Sequence, residues 1–138
     1  MANHNIFVDT NVLIGAFSDM QNDKECLKYL YSLTGKRLYT SSLSIAQLVS
    51  VFQKKKTNQE IKTIVTSIIK KFTILSFTKA DIEEALKSTN SDIEDAIQYV
   101  ISQKFNCYYF ITNNTKDYNK YVNLRPLKSM FIRTIRKD

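Results

Sequence analysis

Aspartate residues occur in three separate segments of the chain, each time beside a predicted strand or helix. Asp9 directly follows the apolar run 6–8, and Asp92 and Asp95 stand at the start of a strongly patterned helix. Asp117 lies in the polar turn after another apolar run. Carboxylates gathered at one place repel one another unless a hard cation neutralises them, and a few carboxylates plus water bind Mg²⁺ or Mn²⁺ in this way. If these segments converge, the sequence predicts a metal site.

A divalent ion at such a site would favour one kind of chemistry. It lowers the pKa of a bound water, orients a phosphodiester and stabilises charge on the attacking and leaving oxygens. The charge of the chain agrees, because 20 Lys and Arg against 13 Asp and Glu give a net charge of +7. An excess of positive charge favours an anionic partner such as nucleic acid. The sequence therefore favours hydrolysis of a nucleic-acid backbone.

Each acid also has a purely structural interpretation. Asp9 could cap the helix that follows it, and acids in a first helical turn, such as Asp92 and Glu94, stabilise the helix dipole. Asp117 could bond the backbone of its own turn. Asp95 is harder to explain in this way, because it lies beside the apolar stripe of its helix and could point toward the interior edge. Asp9 and Asp95 are therefore the stronger candidates.

Short strands that alternate with helices must position these acids. Apolar and β-branched runs predict four strands and a further edge strand at 6–8, 38–40, 72–75, 107–111 and 122–127. Parallel strands need crossover connections, which helices usually supply. We expect an α/β three-layer sandwich, with a mainly parallel central sheet of four to five short strands flanked by helices. Ligands gather just beyond the carboxyl ends of the strands in such a sheet.

Apolar residues at helical spacing predict the helices, and polar residues before them predict the caps. The helices are expected near residues 12–17, 26–33, 43–52, 58–69, 82–86 and 93–101. Thr10 and Asn11 are candidate caps of the first helix, Ser42 of the third, and Ser91 with Glu94 matches a capping box. The basic C-terminal tail predicts a frayed last helix.

Size and composition are those of one globular domain spanning 1–138. The chain has 138 residues, of which 43% are hydrophobic, enough for a single core. Cys26 and Cys107 lie among apolar residues, which predicts reduced core thiols. The sequence lacks an apolar run of the ~20 residues that span a bilayer, and it lacks a secretory signal pattern. We expect a cytoplasmic protein with no membrane segment.

Four segments in this order resemble the motifs of the PIN-domain family, most closely the small stand-alone members that include VapC-type toxins. The segments are 7–13 (FVDTNVL), 41–48 (SSLSIAQL), 92–99 (DIEDAIQY) and 111–118 (ITNNTKDY). Together they extend over nearly the whole chain. The resemblance implies a PIN-like fold and endoribonuclease activity that depends on Mg²⁺ or Mn²⁺. It also implies a homodimer and inhibition by a small antitoxin protein.

The resemblance assigns a role to each acid. Asp9 would be the first metal ligand, and Asp95 the main ligand of the third motif with Asp92 assisting. Asp117 would be the fourth acid, which makes Asp9, Asp95 and Asp117 the catalytic set. Asn114 stands where some relatives carry an acid, so the ligand of the fourth motif is either Asp117 or Asn114.

Two positions depart from the family pattern. Gln47 stands where the second motif normally carries Glu, and Asn113 stands where Arg is common. An amide can ligate through its carbonyl oxygen or bind a metal-bound water, but it adds no charge and cannot act as a base. Asn11, Gln47 and Asn114 are therefore supporting or possible ligands.

The Gln47 substitution keeps a second hypothesis open. It fits a slow nuclease, but it also fits a catalytically impaired PIN-like domain that binds RNA or a protein. A third hypothesis is a phosphoacceptor domain of the response-regulator type, which also places an Asp at a strand end. It fits less well, because Asp9 is the only acid in its segment and that architecture ordinarily pairs acids there.

Overall fold

The computed structural model describes residues 5–90 and 92–137. Five strands form one sheet, and every neighbouring pair is parallel. The strands are β1 (Asn5–Val8), β2 (Arg37–Ser41), β3 (Thr73–Leu75), β4 (Tyr109–Ile111) and β5 (Arg125–Leu127). Their order across the sheet is β3-β2-β1-β4-β5. The predicted α/β fold is confirmed, with a sheet that is parallel throughout.

Helices connect the strands. They are α1 (Thr10–Ala16), α2 (Gln21–Ser32), α3 (Ser42–Phe52), α4 (Asn58–Lys71), α5 (Lys79–Leu86) and α6 (Ile93–Gln103). Two segments form 3₁₀ turns, Thr115–Asp117 and Ser129–Thr134. None of the helices in the described ranges combines the length and the apolar character needed to cross a bilayer.

Successive side chains of β1 point to opposite faces of the sheet, and the interior is divided into two cores, one on each face. Ile6 and Val8 pack with buried residues of α1, α2, α3 and α4, whereas Phe7 packs with buried residues of α5 and α6. The result is the expected three layers. Cys26 lies in the first core and Cys107 in the second, and both are buried free thiols, as predicted.

Asp9 caps the first helix, as its structural interpretation predicted, and the third helix is capped one residue earlier than expected. The cap of α1 is Asp9, whose carboxylate accepts a hydrogen bond from the backbone N–H of Thr10. The cap of α3 is Ser41, whose hydroxyl accepts from the backbone N–H of Ser44. The expected caps lie inside their helices instead: Thr10 and Asn11 are the first two residues of α1, and Ser42 is the first residue of α3.

The cap of α6 also differs from the expected capping box. Ser91 lies outside the described residues, and α6 begins at Ile93 with Asp92 as its cap. The Asp92 carboxylate accepts a hydrogen bond from the backbone N–H of Asp95 at 3.1 Å. Asp92 therefore fixes the first turn of the helix that carries Asp95.

The C-terminal segment is not the frayed helix that its basic residues predicted. It forms 3₁₀ turns that pack against α2, with Ile132 and Ile135 buried. The Tyr29 hydroxyl donates to the backbone carbonyl of Ile135 at 2.5 Å. Buried isoleucines alternate with exposed cations here, so the segment is anchored while its charges stay in solvent.

The strand order places a topological switch point between β1 and β4. From β1 the chain builds β2 and β3 on one side of the sheet, and then crosses to build β4 and β5 on the other. Connections leave the carboxyl ends of β1 and β4 in opposite directions, which opens a crevice where ligands bind in such sheets. The fold therefore predicts a ligand-binding site in this crevice.

The close packing of α1 against α2 at Gly15 gives a testable prediction. A Cβ at Gly15 would lie 1.8 Å from Oδ2 of Asp23. The buried Asp23 side chain cannot move away freely, because its Oδ1 accepts from Asn113 Nδ2 and Ser129 Oγ. We expect Gly15→Ala to lower the free energy of unfolding by about 2–3 kcal/mol, measured by urea denaturation. The loss should be smaller in an Asp23→Ala background, and equal losses in both backgrounds would contradict this contact.

Candidate active site

Asp9 lies at the carboxyl end of the central strand, where it is only 5% exposed. Its Oδ1 accepts from the backbone N–H of Thr10 at 2.8 Å and from Gln98 Nε2 at 3.2 Å. Its Oδ2 accepts from Thr112 Oγ1 at 2.9 Å and from Asn11 Nδ2 at 3.1 Å. Burial raises the pKa of Asp9, and these hydrogen bonds oppose that rise. The carboxylate is therefore fixed in place by four donors from three parts of the sequence.

Asp95, in the first turn of α6, is half-buried near the same strand ends. The hydroxyl of the buried Tyr118 donates to its Oδ1 at 3.2 Å. The pKa of Asp95 is raised to about 7, mainly by burial and to a smaller extent by the negative charges of Asp92 and Asp9. The Asp9 carboxylate is thus close enough to affect the ionisation of Asp95.

The other two predicted acids act on Asp95 from outside the crevice. A contact with the Asp117 side chain raises the pKa of Asp95 further. Asp117 itself is exposed in the 3₁₀ turn after β4, and Asp92 is exposed at the cap of α6. Neither residue is part of the crevice wall.

The crevice at the switch point has a volume of about 420 Å³. It brings together five of the residues predicted from the sequence, and one acid that was not proposed for the site. These residues are Asp9, Asn11, Gln47, Asp95, Asn114 and the additional acid Glu94. We call this crevice the acidic cleft.

Gln47 connects two walls of the acidic cleft. Its Oε1 accepts a hydrogen bond from Thr10 Oγ1 at 2.6 Å, at the start of α1. Its Nε2 donates to Oε1 of Glu94, in the first turn of α6. The residue that departs from the family pattern is thus hydrogen-bonded on both sides of the cleft.

Two supporting residues hold the wall nearest β4. Asn11 donates to Asp9 and to Thr112 Oγ1, and its Oδ1 accepts from the backbone N–H of Asn113. The side chain of Asn113 bonds to Asp23 and Ser129. Asn113 therefore ties the turn after β4 to Asp23 and Ser129, at a position where an Arg could have extended to a phosphate.

Gln98 is a site residue that the sequence did not reveal. It is 2% exposed, and its Nε2 donates to Ser44 Oγ at 2.7 Å as well as to Asp9. Its Oε1 accepts from Ser41 Oγ at 2.5 Å. The available signal was its position, three residues after Asp95 and therefore on the same side of α6.

The chemistry of the cleft fits a magnesium-type ion. Among residues 5–90 and 92–137, no three His, Cys, Asp or Glu side chains are placed to hold a metal ion by themselves. Mg²⁺ keeps several of its waters and is usually bound through one or two carboxylates. The cleft offers carboxylates and amide oxygens, which are the donors that Mg²⁺ and Mn²⁺ prefer.

Fold and cleft together define a parallel α/β domain with an acidic site at its switch point. The PIN domain family profile matches residues 6–122. The chain belongs to the PIN-domain family.

Relatives and solved structures agree with this assignment. Ribonuclease VapC1 of Aquifex aeolicus is 28% identical over 130 residues, which cover 86% of this chain and 88% of that protein. The fold is similar to VapBC2 from Rickettsia felis bound to a promoter DNA fragment, with a TM-score of 0.70, 16% identity and coverage of 90% and 98% of the two chains. It is also similar to a toxin-antitoxin complex from Klebsiella pneumoniae, with a TM-score of 0.68, 20% identity and coverage of 87% and 95%.

The raised pKa of Asp95 predicts how stability depends on pH when no metal is present. Its pKa of about 7 in the fold exceeds the ordinary value of 3.8. Ionisation therefore destabilises the folded state progressively as the pH rises from about 4 to about 7. We expect Asp95→Asn, which can still accept from Tyr118, to raise the free energy of unfolding above pH 7 by about 1 kcal/mol, a figure reduced for solvent screening.

Urea denaturation in EDTA at pH 4, 6 and 8 measures this effect. The gain should be largest at pH 8 and vanish near pH 4. A gain of equal size at all three pH values would contradict the electrostatic origin.

Proposed function

We propose that this protein is a metal-dependent endoribonuclease that hydrolyses RNA phosphodiester bonds, acting as the toxin of a toxin-antitoxin pair. The observation that carries the proposal is the meeting of Asp9 and Asp95, from the end of β1 and the start of α6, in one cleft of a PIN fold. The similarity to Ribonuclease VapC1 supports ribonuclease as the activity.

In this proposal Asp9 and Asp95, in the cleft, and Asp92 and Asp117, beside it, would hold Mg²⁺ or Mn²⁺. Asp9 and Asp95 would be the main ligands. Asp92 and Asp117 would assist, either by adding negative charge near Asp95 or by binding the ion through a water molecule. When bound by these residues, such an ion would supply an activated water and would stabilise charge on the phosphodiester oxygens. Asn114 lines the cleft and offers an amide oxygen.

The remaining residues of the cleft keep the main ligands ready. The donors around Asp9 favour its charged form and fix the direction of both oxygens. Tyr118 restrains Asp95 on the side facing the core. A site held in this way loses little further freedom on binding an ion and a substrate, which favours catalysis.

The proposed partners follow from the relatives. Solved structures with this fold include toxin-antitoxin complexes from Klebsiella pneumoniae and VapBC complexes from Rickettsia felis and Haemophilus influenzae. We propose an antitoxin protein as the inhibitor, a homodimer of single-domain chains, and RNA in the cytoplasm as the substrate. The net charge of +7 favours binding of RNA.

Substitution of the two main acids tests the proposal. With purified protein, RNA and Mn²⁺, we expect Asp9→Asn and Asp95→Asn each to reduce the cleavage rate by roughly 100-fold or more, because the ion contributes several kcal/mol to transition-state stabilisation. EDTA should abolish cleavage by the wild type. Asp19→Asn is the matched control, because Asp19 is an exposed surface residue paired with Lys24.

The outcomes separate the alternatives. Cleavage that survives both substitutions would exclude this site. Wild-type protein that binds RNA tightly but does not cleave it with either ion would favour the impaired, RNA-binding domain suggested by Gln47. Labelling of Asp9 by a small phosphodonor would instead favour the phosphoacceptor hypothesis.

A further inference from the structure

The acidic cleft contains a carboxylate to which the proposed function assigns no role. Glu94 lies in the first turn of α6, one residue before Asp95, and lines the same cleft as Asp9. Its position could be explained by the helix dipole alone, which favours acids in a first turn. That explanation does not account for its hydrogen bond to Gln47, a residue of a different helix.

The orientation of Gln47 is fixed by its other hydrogen bond. Its carbonyl oxygen accepts from Thr10 Oγ1, and Thr10 Oγ1 in turn accepts from the buried Gln98 Nε2. With its carbonyl directed at Thr10, the amide group of Gln47 must direct its N–H bonds toward Glu94. A glutamate at position 47 could not donate this hydrogen bond, since an ionised carboxylate only accepts.

The number of negative charges in the cleft also favours a neutral side chain at position 47. Asp9, Glu94 and Asp95 already place three carboxylates along its wall. A glutamate at position 47 would add a fourth and would put it in direct contact with Glu94. Two carboxylates in contact raise each other's free energy unless one takes up a proton. A neutral donor at position 47 is therefore the side chain that Glu94 requires.

We propose that Glu94 supplies the divalent-cation site with the acidic charge that the second motif would otherwise contribute, and that Gln47 is its positioning residue. This inference rests on the proposed function, because it assumes that the cleft binds a cation. In this proposal the acid that the second motif normally places on α3 is replaced by Glu94 on α6, and the number of carboxylates in the cleft stays the same.

Exchange of the two side chains tests the inference, with binding of Mn²⁺ alone, measured by isothermal titration calorimetry, as the readout. We expect Glu94→Gln to weaken Mn²⁺ binding by about tenfold or more, a typical effect of losing a group that supports a metal site. Gln47→Glu alone should bring no gain. The double variant Gln47→Glu with Glu94→Gln should recover affinity to within about threefold of wild type, because the hydrogen bond remains with donor and acceptor exchanged.

Two further variants serve as controls. Glu83→Gln makes the same change of charge at an exposed position on α5 and should leave Mn²⁺ affinity unchanged. Asp9→Asn should abolish binding if the cleft holds the ion. Circular dichroism and the thermal midpoint of each variant, measured in EDTA, establish that it is folded.

The results distinguish failure of the inference from failure of the proposed function. Loss of Mn²⁺ binding in Asp9→Asn, with Glu94→Gln binding as wild type does, would overturn the role of Glu94 and leave the nuclease proposal standing. Tighter binding by Gln47→Glu in the presence of Glu94 would also overturn it. Wild-type protein that binds no Mn²⁺ at millimolar concentration would overturn both.

Discussion

The carboxylate of Asp9 has to be held in a position almost closed to solvent, and most of the local structure serves that requirement. A buried charge is tolerated only when hydrogen bonds replace its water. Thr10 supplies a backbone donor, and side chains from α1, α6 and the end of β4 supply the others. Each of these elements must be docked before the carboxylate is satisfied. The position of Asp9 therefore couples packing on both faces of the sheet to the geometry of the cleft.

Much of this arrangement could be predicted, because its signals are local in sequence. The apolar runs predict the strands, and Asp9 is conspicuous because it follows such a run directly. Gln98 was missed, since it lies outside the apolar stripe of α6 and nothing local indicates that Asp9 lies opposite. The pairing of Gln47 with Glu94 joins residues 47 positions apart. Such contacts depend on how α3 and α6 pack, which periodicity does not specify.

The cleft also destabilises the fold that builds it. Burial raises the pKa of Asp9, and burial with neighbouring acids raises that of Asp95, so the folded protein holds both charges less favourably than water would. Stability lost at a functional site has to be recovered elsewhere. Here the two apolar cores contribute, as do the capping boxes of α4 and α5, whose residues take no part in the cleft wall.

The tail that follows β5 connects the chain terminus to the cleft through polar contacts. Ser129 bonds to Asn113 and to Asp23, and Asn113 bonds through its backbone to Asn11, which supports Asp9. Deletion of the Ser129–Thr134 segment would thus release the turn beside the cleft, although the segment contributes no residue to its wall. Removal of this basic tail would therefore weaken the support of the Asp9 carboxylate from a distance.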